Sequence, residues 1–281
     1  MTGSAWRRFL MNKGAVLGLV VLAIVMSMAA TAPVFFPGNP WNMAGAPVTP
    51  PLEPGHLFGT DMLGRDVMAT IAHGARVSLL VGAVSTAAAL LIGVTLGAVA
   101  GYVGGRIDDV IMRFTEFFQS IPSFVLALLI VSIFQPSVGS IVVAVAIVSW
   151  PPVARIVRGE FLSLRSREFV QAAIVLGQNT RQIVFGQILP NALSPIIVLA
   201  SFMIATAILL EAALSFLGLG DPNVMSWGFM IGSGRSTIRL AWWTSVFPGI
   251  ALFLTVLSLN LIGEGLSDAL NPRLRERGGR R

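Results

Sequence analysis

Few residues of this chain are equipped for covalent chemistry. It has no cysteine, so disulfides and thiolate metal sites are excluded. Its two histidines, His56 and His73, lack the i, i+4 spacing of an H-E-x-x-H zinc helix. They read as polar loop residues, and no metal site is expected. No Ser/His/Asp set stands out. An ATP-driven motor needs a phosphate-cradling loop, G-x-x-x-x-G-K-[ST]. The single lysine, Lys13, is preceded by Asn12 and followed by Gly14. The chain is therefore not itself an ATPase, and no cofactor is expected in it. One acid falls within an apolar run, Glu211, where a charge costs about 2.5–3.5 kcal/mol by insertion scales. It could line or gate a pore, or it could be a neutral or paired group near the outer end of a span. The sequence "SFLGLG" that follows within a turn favours the second reading. Arg113 and Glu116, three apart, could pair on a helix. Glu264 and Asp268, one turn apart and near Arg273 and Arg275, read as a structural charge cluster.

The elements that position these residues are apolar. The chain of 281 residues is 55% hydrophobic and 11% charged, against roughly 25% charged in soluble domains. Its mean hydropathy is +0.81. That composition describes a polytopic membrane protein, and the net charge of +6 belongs to membrane topology rather than to nucleic acid. A helix needs about 20 apolar residues to cross a bilayer. The sequence offers six such runs: Gly14–Phe36, Val77–Gly105, Asp109–Phe134, Ser140–Arg158, Leu193–Leu217 and Trp243–Leu266. The third and fourth are separated by "FQPSVGS", where Pro136 and Gly139 favour a turn. The spans must be helical, because lipid satisfies no open backbone group. The expected fold is all-α, with six transmembrane helices.

Orientation follows from the basic residues. With the N-terminus inside, most of the 19 lysines and arginines fall in cytoplasmic segments, leaving only Arg65, Arg76, Arg235 and Arg239 outside. Both termini are then cytoplasmic. "WRRFLMNK" before an apolar run and "ATA" suggests a signal peptide, but the run exceeds the 7–15 residues of a signal core. An uncleaved first helix is favoured. Four regions result: a tail and first helix over 1–36, an extracytoplasmic loop over 37–76, a transmembrane core over 77–270, and a basic tail over 271–281. Within the outer loop, Val67, Ile71 and Ala75 fall at helical spacing and predict a short surface helix leading into the second span. Trp227, Trp242 and Trp243 suit an outer interfacial belt. Gly93, Gly97 and Gly101 recur every fourth residue, which suits close helix packing, internal or against a partner.

Between the fourth and fifth spans the membrane pattern pauses. Phe169, Ala172, Ala173 and Leu176 follow the i, i+3, i+4, i+7 rule of one helix face. Gly177 supplies a helix stop, and Asn179 or Thr180 can cap a second helix carrying Ile183, Val184, Phe185 and Ile188. Pro190 ends or kinks that helix. The small alanines would permit docking into a partner's groove. Periodicity alone leaves open whether the piece docks on a partner or lies on the membrane.

The stretch "QAAIVLGQNTRQIVFGQILP" (Gln171–Pro190) resembles the cytoplasmic "EAA" loop of ATP-binding-cassette importer permeases. Ala172, Ala173, Gly177, Leu189 and Pro190 match in register. Gln171 replaces the glutamate, and Gln187 stands where an isoleucine belongs. "HLFGTDMLGRDV", "GARVSLLVG", "AGYVGGRIDDVIMR", "LSFLGLG", "WWTSVFPG" and "LNLIGEGLSDALNPRLR" extend the resemblance to the C-type permease subunits of the dipeptide/oligopeptide/nickel group, from Trp6 to Arg275. The resemblance implies a non-catalytic subunit in a bacterial inner membrane. It would form half of a peptide pathway with a second, homologous permease. Two ATPase subunits would bind the ATP and magnesium, and an extracytoplasmic binding protein would deliver substrate. The residues implied in coupling are Glu168, Phe169, Gln171, Ala172, Ala173, Leu176, Gly177, Gln178, Arg181 and Pro190. The alternative is a self-sufficient secondary transporter or channel, but no internal repeat links the two halves.

Overall fold

The computed structural model describes residues 2–270. Two helices open the chain, α1 (Thr2–Met11) and α2 (Lys13–Phe35), divided at Asn12, whose side chain accepts the backbone N–H of Ala15. After a long α2–α3 loop comes α3 (Val67–Val103), capped by Asp66 through the N–H of Ala69. At 37 residues it is about 55 Å long, more than the ~30 Å of a hydrocarbon core. The expected surface helix and second span are thus one continuous rod, running across the boundary drawn at Arg76. No proline interrupts it, and Gly74 is accommodated because the indole of Trp227 fills the space beside it.

The expected third span, Asp109–Phe134, is corrected to two helices, α4 (Gly105–Ser120) and α5 (Ser123–Phe134), bent by 84°. The cause is Pro122, which lacks an N–H and drives Ile121 into an extended conformation (φ −95°, ψ 129°). α5 is only about 18 Å long and cannot cross alone. A Ser137/Ser140 capping box starts α6 (Val138–Arg165). Then follow α7 (Glu168–Val175), α8 (Thr180–Ile183), a π-helical turn (Val184–Ile188) and α9 (Leu189–Leu214). A second π turn (Ser215–Leu219), α10 (Trp227–Gly234), a 3-10 turn (Arg235–Thr237) and α11 (Trp243–Leu270) complete the order. Five helical segments are long and apolar enough to cross a membrane, and the bent pair makes up to six. Among the described residues there is no strand, only two isolated bridges in the outer loop. The described residues are all-α, and their five to six candidate spans approximately match the six expected.

Glycines set the closest approaches. A Cβ on Gly93 would lie 2.5 Å from Val153 Cβ, on Gly97 2.5 Å from the Ala154 carbonyl, and on Gly101 2.7 Å from the Arg158 carbonyl. The whole glycine stripe therefore faces α6, so the packing it serves is internal. Gly18 of α2 does the same for α11, 2.6 Å from the Ser258 carbonyl. Asn12 Nδ2 donates to Asp268 Oδ2 at 3.1 Å, which ties the start of α2 to the end of α11. Arg273 and Arg275, expected near Asp268, lie outside the described residues. Arg113 and Glu116 do not pair with each other. Instead Arg158 of α6 reaches Asp108 of α4 with two hydrogen bonds of 2.5 and 2.6 Å.

Candidate functional site

The helices converge on an elbow between α6 and α9. α7 ends in a Schellman turn: Gln178 N–H donates to the Ala173 carbonyl at 3.1 Å, and Gly177 N–H to that of Ile174 at 3.0 Å. Gly177 adopts φ +76°, as this turn requires. Asn179 and Gln182 then form a reciprocal capping box at the start of α8. Gln171 Nε2 donates to the Arg165 carbonyl, closing the elbow's other side.

The elbow has an inner and an outer face, and these divide differently from the periodicity. Val170 and Ala173 are buried against Phe161, Ile183, Ile188 and Ala192, in one apolar cluster that continues to Trp150 and Met203. Phe169, Ala172 and Leu176, expected on Ala173's face, are exposed with Val175. The exposures of Val175 (87%) and Leu176 (79%) leave an unpartnered apolar tip. Glu168, Gln171, Gly177 and Arg181 are also exposed; Gln178 is half-buried.

The helix beyond does not end at Pro190. Leu189 N–H donates to the Val184 carbonyl, five residues back, and this wide turn carries α8 straight into α9. Pro190 falls in the first turn of α9. Pro190 has no N–H to donate, and it follows directly on the π turn, where the bonding has already shifted by one residue. The fifth span consequently starts earlier than expected, and the elbow is continuous with it.

At the other end of α9, Glu211 is buried, 1% exposed. Ser215 Oγ donates to its Oε1 at 2.7 Å and Ser78 Oγ to its Oε2 at 3.2 Å. Ser226 caps α10 by accepting the Phe229 N–H. Ser78 Oγ in turn accepts the Trp227 N–H at 3.4 Å. Glu211 therefore holds α3, α9 and α10 together and is satisfied by hydroxyls, as a buried polar group must be. The serines that complete this knot lie far apart in sequence and carry no recognisable motif.

Above it the α2–α3 loop folds over the bundle. Trp227 Nε1 donates to the Ile71 carbonyl and Trp243 Nε1 to that of Thr60, both at 3.0 Å. Both indoles are buried, whereas Trp242 is exposed. The expected aromatic belt is thus corrected for Trp227 and Trp243, whose N–H groups find protein carbonyls rather than the membrane interface. Arg65 pairs with Asp61 at 2.5 Å and lies 5.1 Å over the Trp41 ring. His56 Nδ1 meets Asp66 at 3.0 Å, and His73 Nε2 meets the Phe36 carbonyl at 3.1 Å. Among the described residues no three potential metal ligands cluster.

The model of the family described as "Binding-protein-dependent transport system inner membrane component" matches residues 93–276. The chain belongs to this family. Its N-terminal part, residues 1–51, matches the N-terminal transmembrane domain of oligopeptide transport permease C. Binding-protein-dependent permeases similar to this one include the oligopeptide transport system permease protein OppC of Haemophilus influenzae, 43% identical, with 96% of this chain and 88% of that protein aligned. Another is the dipeptide transport system permease protein DppC of Alkalihalophilus pseudofirmus, 42% identical over 96% of this chain and 90% of that one. Among solved structures, an inward-facing MetNI methionine ABC transporter shares the fold. Its TM-score is 0.62 at 18% identity, covering 73% of this chain and 98% of that one. The chain is a multi-pass ABC-importer permease.

Proposed function

We propose that this chain forms one half of a peptide pathway in the bacterial inner membrane and is driven by separate ATPase subunits through its elbow. The carrying observation is the apolar tip at Val175–Leu176, exposed on a turn held by the Gly177 and Gln178 backbone hydrogen bonds to Ile174 and Ala173. Exposed apolar residues on a stiff support mark a protein contact. The inner face of the same elbow joins the cluster that reaches Trp150 of α6 and Met203 of α9. A push on the tip would therefore move two spans together, which suits rigid-body switching between inward- and outward-facing states. Glu168, Phe169, Gln171, Ala172, Leu176, Gly177, Gln178 and Arg181 form or shape the contact. Ala173 and Pro190 act from inside, by packing and by joining α8 to α9. Glu211 serves as a gate latch, holding α10 to α3 and α9.

The ATP and magnesium belong to the two ATPases. A second, homologous permease completes the pathway, a binding protein delivers peptide from outside, and both termini are cytoplasmic. The relatives' oligopeptide and dipeptide names support peptide as the cargo. The test is site-directed crosslinking in the assembled transporter. A cysteine at Leu176 should crosslink to an ATPase subunit, and one at Leu91, an exposed position on α3, should not. Crosslinking from Leu176 to lipid alone would reject the coupling reading. Peptide uptake that persists without ATPase subunits would reject the importer reading.

A further inference from the structure

The outer face carries a cleft that coupling does not use. A cavity of about 490 Å³ lies between α3, the loop after α2 and the loop before α10. A second, of about 360 Å³, adjoins it and shares Asn39, Pro40 and His73. Arg76 lines the first cavity. It is exposed, and among the described residues it has no hydrogen-bond or ion-pair partner. No acid lines that cavity, and the nearby acids are engaged elsewhere. Asp61 holds Arg65, and Asp221 accepts the N–H of Val138 at the start of α6. A free guanidinium in a cavity of this size suits a carboxylate, which it can grip with two parallel hydrogen bonds.

The far end of the cleft has the opposite charge. Asp66 lines the second cavity. Its Oδ1 accepts the Ala69 N–H and its Oδ2 meets His56 Nδ1, and each oxygen keeps a further lone pair. Asp66 caps α3 and Arg76 lies further along the same helix, separated by about 15 Å of axial rise. An extended peptide advances about 3.3–3.6 Å per residue, so four or five residues bridge that distance. Between the charged ends, Asn39 and Asn223 offer amides to a peptide backbone and Trp41 offers an apolar wall.

We propose that this cleft binds a short extended peptide of about four or five residues by its charged ends, the C-terminal carboxylate on Arg76 and the N-terminal ammonium at Asp66. The inference rests on the reading of the chain as a peptide permease and specifies where peptide first touches it. The experiment is equilibrium dialysis of labelled tetra-alanine against the assembled transporter in nanodiscs, without binding protein. Amidation of the peptide's C-terminus, or Arg76→Gln, should each weaken binding at least tenfold, and the amide should bind equally to both proteins. N-acetylation and Asp66→Asn should form the same kind of pair; asparagine preserves the helix cap. Dialanine, too short to span the cleft, should bind at least tenfold more weakly.

The proposal is overturned if wild-type transporter binds acid and amide alike, or if Arg76→Gln weakens both equally. It is also overturned if Arg76→Gln leaves free-peptide binding intact and slows only transport with the binding protein, since Arg76 would then serve that protein. Import by wild-type transporter with its binding protein separates the two readings. Import without charge-selective binding sinks the cleft alone, and absence of any peptide import sinks the peptide reading beneath it.

Discussion

The elbow and the outer cap are both loops between membrane helices, yet they are held in opposite ways. In the elbow every stabilising hydrogen bond is local: a Schellman turn, a capping box and one side-chain bond to the Arg165 carbonyl. The cap has local bonds too, such as Arg65 to Asp61, but others join distant parts of the chain. Trp243 reaches Thr60, Trp227 reaches Ile71, and Glu211 joins Ser78 to Ser215. A locally built element keeps its shape when its outer face meets a changing partner. A cap built from long-range bonds keeps its shape only while the helices beneath it stay in register.

Mutations can break this contrast. The largest effect is expected in the cap. Trp227→Ala removes a fully buried indole together with its bond to Ile71, and large-to-small changes of this kind cost about 3–5 kcal/mol. The folded yield and thermal midpoint of the purified complex should fall sharply; unchanged values would mean that α10 is held by other contacts. Next is Gly177→Val. Nothing lies within 4 Å of a Cβ there, but φ is +76°. The cost is therefore conformational, about 1–2 kcal/mol. Insertion should survive while transport per ATP hydrolysed declines, and fully coupled transport would refute the rigid-turn argument.

Asn179→Ala removes the α8 cap, worth about 1 kcal/mol. Faster amide exchange should be confined to the elbow, and exchange spreading to the cap would contradict its local construction. The smallest stability effect belongs to Leu176→Ser. An exposed site of this kind changes stability by less than about 0.5 kcal/mol, so the melting temperature should hold while ATPase coupling is lost. A Leu176→Ser transporter with normal coupling would show that the tip does not dock.

The legible parts of this protein were those governed by near neighbours or by solvent. Gly177 and Asn179 announce a turn and a cap because both act within a few residues of themselves. The Gly93, Gly97 and Gly101 stripe announces a close packing face, although its partner helix was not identifiable. Helix ends were less legible. Pro122 bent a span that looked uniform, whereas Pro190 did not stop one, because a π turn had already shifted the bonding by one residue. Trp227 and Trp243 were read as interfacial because tryptophan commonly is, and no local feature reveals the distant carbonyls that bury them.

The sequence by itself determined a helical membrane protein, the approximate number of its apolar spans and the turn at its elbow, since hydropathy and short-range backbone preferences act on each segment separately. Only the tertiary structure decided which elbow face turns inward, which serines satisfy Glu211 and which loops close a cleft over the first turns of α3. Each of those depends on groups that folding brings together from far along the chain.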